Sequence, residues 1–165
     1  MPVHTVRIEE RLWSSASMLR KQEWRIVIHD IVSGTLPWPT RDASTLVAGC
    51  DDEHMEFHLA SSSESNDLIR FPRTNIAPLI KEYTDLIKKL SAGDLHDTHF
   101  EALDMAKRVV HDTGARKLAV LLPGVGANLE TNRRLFSLVV SLAVDTTRLG
   151  PYPGHRHHAL RAKEK

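Results

Sequence analysis

The sequence predicts an α+β fold: a mostly antiparallel sheet of about five or six strands, with about four helices packed on one face. Three observations lead there. Short alternating stretches rich in β-branched residues fall into two blocks, each made of sequence neighbours, which favours antiparallel pairing. Four longer stretches carry apolar residues at helical spacing. No internal repeat or domain linker divides the chain, so residues 1–149 read as one domain and 150–165 as a flexible tail rich in Pro, His and basic residues.

The elements follow in order. Val3 to Glu9 alternates, with Val3, Thr5, Val6 and Ile8 β-branched, and reads as a strand. Trp24, Val27, Ile28 and Ile31 form one stripe of a helix near 17–33, which Gly34, Pro37 and Pro39 end. Thr45 to Ala48 and Met55 to Ala60 read as strands around the polar turn at Cys50-Asp51-Asp52-Glu53, and Leu68 to Phe71 as a third. Leu79, Tyr83, Leu86, Ile87 and Leu90 mark a helix near 76–91, with Pro78 in its first turn. Thr98 and Glu101 form a T-x-x-E capping box for a helix near 99–113 that Gly114 would stop. Lys117 to Leu122 then reads as a strand, with a second short one over Val125, Ala127 and Leu129. A last helix, near 130–146, is apolar almost all round.

Bulk properties narrow the function classes. Hydrophobic residues make up 41% and charged residues 26%, enough to build a core and too balanced for a disordered chain. The formal net charge of +1 gives no electrostatic footprint for nucleic acid or an anionic membrane. The most apolar run, Leu135 to Val144, is too short to span a bilayer, and the N-terminus has no signal-peptide h-region. With Cys50 as the only cysteine, no internal disulfide can form, and a cytoplasmic setting is expected.

Three stretches carry a resemblance: Glu101 to Arg108 (EALDMAKR), His111 to Gly114 (HDTG) and Arg133 to Leu138 (RRLFSL). Together and in this order they resemble the bacterial uncharacterised protein family 0262, over about residues 20–145. The resemblance implies the order of elements and a cytoplasmic bacterial setting, and brings no activity, cofactor or catalytic residue. The longer tail and the glycines of Pro123-Gly124-Val125-Gly126 depart from the family pattern.

Each candidate site has a plainer reading beside it. Gly124-Val125-Gly126 lies between elements as a phosphate loop would, but Leu129 stands where a dinucleotide fingerprint needs glycine, and no Gly-Lys-Ser/Thr follows; a tight turn is favoured. His29-Asp30, His96-Asp97 and His111-Asp112 invite a metal reading, with His96, His99 and His111 as the candidate ligands. Neighbours on a helix diverge by about 100°, so these pairs cannot chelate alone, and capping or surface roles are favoured, His111 meeting the negative end of its helix. Cys50 sits among Asp51, Asp52 and Glu53, whose charges would raise its pKa, and no G-x-S-x-G elbow exists. His155, His157 and His158 make the tail metal-prone, against a solvated default. No cofactor is expected.

Arg133 and Arg134 stand in the first turns of the last helix, where the dipole disfavours cations. Either Glu130 neutralises them at i+3 and i+4, or, with Arg108 and Arg116, they hold an anion or a partner's carboxylate. The apolar arc through Leu135, Phe136, Val139 and Val140 needs either a central position or a second chain, which favours a homodimer through the last helix. The leading reading is a non-catalytic binding or adaptor protein with a protein partner rather than nucleic acid. A small hydrolase using His and Asp residues, and an RNA- or ribosome-associated protein, stand as alternatives. An adaptor calls for an exposed apolar patch, an enzyme for a deep polar pocket, an RNA binder for a contiguous basic face.

Overall fold

A computed structural model describes residues 5–33, 43–61, 66–92, 97–123, 125 and 128–149. The tail, His96 and the Gly124-Val125-Gly126 glycines lie outside them. The elements run β1 (Thr5–Ile8), α1 (Glu10–Ser15), α2 (Met18–Ser33), β2 (Ala43–Cys50), β3 (His54–Ser61), β4 (Asn66–Pro72), a 3₁₀ turn (Arg73–Asn75), α3 (Ala77–Ser91), α4 (Asp97–Leu121), α5 (Leu129–Ala143) and a second 3₁₀ turn (Thr146–Arg148).

Among the described residues the sheet has four strands in the order β1-β2-β3-β4, and it is mixed. β1 pairs parallel with β2, Thr5 facing Thr45 and Ile8 facing Ala48. The helices α1 and α2 intervene between these strands and supply the crossover that parallel neighbours need. The expected sheet of five or six mostly antiparallel strands is therefore corrected. The antiparallel part is the meander β2-β3-β4, with Cys50 opposite Met55 and Met55 opposite Phe71.

The β2–β3 turn is built by Asp51. Its Oδ1 accepts from the backbone N–H of Glu53 at 2.8 Å and of His54 at 2.6 Å, a local bond that aspartate offers a turn. Those two donors hold the Asp51 carboxyl below its ordinary range. Alternation along β3 then divides the faces: Met55, Phe57 and Leu59 are buried, while Glu56 and His58 lie opposite, Glu56 pairing with Arg70 at 3.1 Å.

The stretch around Gly114 is the second correction. α4 does not stop there but runs on to Leu121, so the strand expected at Lys117 to Leu122 is helix. Its buried positions Lys107, Val110, Gly114 and Leu118 recur at three or four residues, which is helical rather than alternating. Thr98 lies within the first turn of α4 instead of ahead of it, so the expected capping box is not the start of this helix. Leu129, assigned to a short strand by sequence, opens α5, whose cap is Asn128: its side chain accepts from Thr131 N–H at 3.0 Å.

α5 is central. Leu135, Phe136, Leu138 and Val139 are fully buried and Val140 is 1% exposed. α4 and α2 flank it, and β2 lies against it. Other parts of the same chain thus cover the whole apolar arc, and the reason for expecting a second chain on this helix disappears.

Candidate functional site

The seam between α4 and α5 gathers most of the residues singled out above. Arg133 reaches across from α5 and grips Asp112 with two bonds, Nε to Oδ1 at 2.5 Å and Nη2 to Oδ2 at 3.1 Å. Its Nη1 donates to Glu130 at 3.2 Å. Arg134 pairs with Glu130 at 3.4 Å and donates to the Asp30 carbonyl of α2 at 3.1 Å. Hydrogen bonding from Arg133 holds the Asp112 carboxyl below its ordinary range, and the same bonds raise Arg133. Arg108 pairs with Asp104 at 3.2 Å. Three of the four arginines considered for anion or partner binding are thus matched by carboxylates of their own chain, and Arg116 stands at an exposed position of α4.

His111 is placed mid-helix, since α4 continues ten residues past it, so the helix-end explanation fails. Its Nε2 lies 2.9 Å from Ser137 Oγ on α5. Tyr83 and Phe136 pack on its ring, at centroid distances of 5.8 and 5.4 Å. Burial, with Lys107's charge adding to it, lowers its pKa to about 4. A histidine so held is neutral and a weak proton acceptor, suited to joining helices rather than to general-base chemistry. Lys107 is itself buried, 3.5 Å from Asp104, and burial lowers its pKa. His99 is exposed near the start of the same helix, three turns from His111. Among the described residues no group of three or more His, Cys, Asp or Glu is placed to hold a metal ion.

A second polar cluster closes the C-terminal end of α5. Arg20 Nη2 donates to the carbonyls of Ser141 and Leu142 at 3.1 and 3.0 Å, and Trp24 Nε1 to Ser141 at 3.1 Å. Arg73 Nη2 donates to the Ala143 carbonyl at 3.1 Å, while its Nη1 holds the Asp51 carbonyl at 3.0 Å. Two guanidinium groups thus answer the unpaired carbonyls and the negative end of a buried helix. Sequence reasoning missed this cluster. Its one signal was an apolar helix without a basic residue in its last turn, which must find donors elsewhere. Cys50 lies nearby; its pKa is raised, but mainly by burial, with Asp51 a lesser cause and Arg73 opposing.

Two surfaces remain open. The outer face of α4 exposes Met105, Val109 and Val120. A groove of about 550 Å³ lies between β1 and α2, with Trp13 among its lining residues. Among the described residues no helix is long and apolar enough to cross a membrane.

These features define a mixed-sheet α+β protein whose ion pairs join α4 to α5 and whose α4 carries exposed apolar side chains. The profile of the Uncharacterised protein family (UPF0262) matches residues 2–145, and the chain belongs to that family. It is similar to the UPF0262 protein of Caulobacter vibrioides, 26% identical over 149 residues, covering 85% of this chain and 91% of that protein. The UPF0262 protein of Jannaschia sp. is 31% identical over 143 residues, covering 74% of this chain and 84% of its own. That of Dinoroseobacter shibae is 38% identical over 65 residues, only 39% of this chain and 38% of that protein. No solved structure matches the chain.

Proposed function

We propose that the protein is a non-catalytic cytoplasmic binding or adaptor module that docks a protein partner on the outer face of α4. The observation supporting this is the apolar stripe there: Met105 is 60%, Val109 57% and Val120 75% exposed. At 100° per residue these three lie within about 60° of one another on one line of the helix, with exposed Arg116 on the same line between Val109 and Val120. Ala102 extends the line beside Met105, and Arg108 and Lys117 flank it, so exposed apolar and basic side chains share this face. Scattered apolar residues are ordinary on a surface, whereas neighbours such as Met105 and Val109 aligned on the outside of a 25-residue helix support a contact face. The internal pairing of Arg108, Arg133 and Arg134 argues against the RNA reading, because these charges are already matched by carboxylates.

The test is affinity capture from extracts of the native bacterium. The unmodified chain should retain a protein that Met105→Glu/Val109→Glu does not, while both forms unfold at the same denaturant concentration. Equal capture by both, or none above background by either, would refute the docking face.

A further inference from the structure

A second surface, separate from the α4 stripe and independent of the reading above, has its own chemistry. β1 is an edge strand: among the described residues it pairs on one side only, with β2. The backbone N–H of Glu9 donates to the Ala48 carbonyl at 2.8 Å, in line with the parallel register. Backbone groups alternate along a strand, so Thr5, Arg7 and Glu9 face β2, and the N–H and C=O of Val6 and Ile8 face outward. Such a row of unmet groups is a template for another strand.

Beside that edge lies the groove between β1 and α2. Ile28 and Val32 of α2 supply apolar wall on the core side, and Val32 is 37% exposed. Arg7 projects from the opposite face of β1, and Arg25 and His29, one helical turn apart, stand along the groove. Arg25 lies over the Trp13 ring at 5.1 Å. Neither Arg7 nor Arg25 forms an ion pair among the described residues, in contrast to Arg70, Arg133, Arg134 and Arg148, which all do. Glu10 is the one acidic residue lining the groove.

We infer that β1 accepts an extended segment of a partner protein in which apolar and acidic side chains alternate. The partner's backbone would bond Val6 and Ile8, its apolar side chains would face Ile28 and Val32, and its carboxylates, on the other face, would meet Arg7, with Arg25 adding its charge from across the groove. Main-chain bonds supply affinity in this mode and alternate side chains supply specificity. A second copy of this chain is the poorer occupant, because β1 against β1 brings Arg7 close to another Arg7, and like charges across strands repel.

Panning a phage library of random octapeptides on the full chain tests this. The recovered peptides should alternate apolar residues with Asp or Glu. Arg7→Glu/Arg25→Glu, both at exposed positions, should lower their retention by about tenfold or more, with unfolding by denaturant unchanged. Methylating alternate backbone nitrogens of a recovered peptide should abolish binding, which contacts by side chains alone would survive. The inference is overturned if no peptide is recovered, if no acidic excess appears, or if the double variant or the methylated peptide binds as well as its parent. Dimers of the unmodified chain that the double variant dissociates would also overturn it, in favour of a second copy.

Discussion

Gly114 of α4 lies directly beneath the ring of Phe136 of α5. A Cβ built on this glycine would sit 2.6 Å from the ring's Cζ and closer still to Cε2 and Cδ2, inside any normal contact. Phe136 is fully buried, with Tyr83 edge-on at 5.9 Å and His111 at 5.4 Å, so the ring has nowhere to move. The glycine is there for close approach of two helices.

Gly114→Ala should therefore destabilise the protein even though alanine is the better helix former. Propensity favours the substitution by about 1 kcal/mol, and overpacking a filled core opposes it by about 1–3 kcal/mol. Phe136→Ala should cost about 3–5 kcal/mol by leaving a cavity. Combined, the two should cost clearly less than their sum, because removing the ring removes the clash. Urea denaturation of the four proteins measures this; a neutral or stabilising Gly114→Ala would refute it.

Val140 tests the central position of α5. At 1% exposure, Val140→Glu places an unpaired carboxylate in the core, at a cost of several kcal/mol. The variant should lose its cooperative unfolding transition and its near-UV circular dichroism. If it were instead a well-folded monomer where the unmodified chain is a dimer, as light scattering would reveal, α5 would face a second chain after all.

The local elements could be read in the sequence, and the long-range ones could not. Alternation at Met55, Phe57 and Leu59 gave β3, and Pro78 with the stripe through Leu90 gave α3, because both signals are periodic and near in sequence. Spacing alone matched Arg133 and Arg134 with Glu130. The parallel β1–β2 pair was hidden, since nothing in either strand's periodicity names its partner across two helices. Gly114 carried two meanings, helix stop or close approach, and only the ring of Phe136, far along the chain, decides between them. The clamp of Asp112 by Arg133 joins residues on different helices, and the donors to the end of α5 come from far along the chain, Arg73 70 residues away and Arg20 121.

His111 gives the protein a pH dependence of known sign. Its pKa is about 4 in the fold and about 6.5 in an unfolded chain. Between these values the unfolded state binds the extra proton, so stability rises with pH from 4 to 6.5 and is level above. The loss on acidification should approach about 3 kcal/mol if His111 alone is responsible. Asp112, held down by Arg133, acts in the same direction but only below about pH 4. His111→Gln should flatten the curve between pH 6.5 and 4.5; denaturation midpoints that keep the same slope in this variant would show that another group titrates.

Arg73 links the sheet to the end of α5, with one guanidinium nitrogen on the Asp51 carbonyl and another on the Ala143 carbonyl. The first anchors the β2–β3 turn, and the second meets the negative end of a helix whose last turn has no basic residue. Hydrogen bonds from a charged donor contribute about 1.5–3 kcal/mol, so Arg73→Ala should lower stability by about that much. Arg73→Lys should recover only part of it, because an ammonium cannot present two divergent donors from one rigid plane. Amide hydrogen exchange resolves the two effects. Arg73→Ala should speed exchange at the last turn of α5 and around the β2–β3 turn together, while α3 keeps its protection. Faster exchange at only one of the two would mean that Arg73 does not couple them.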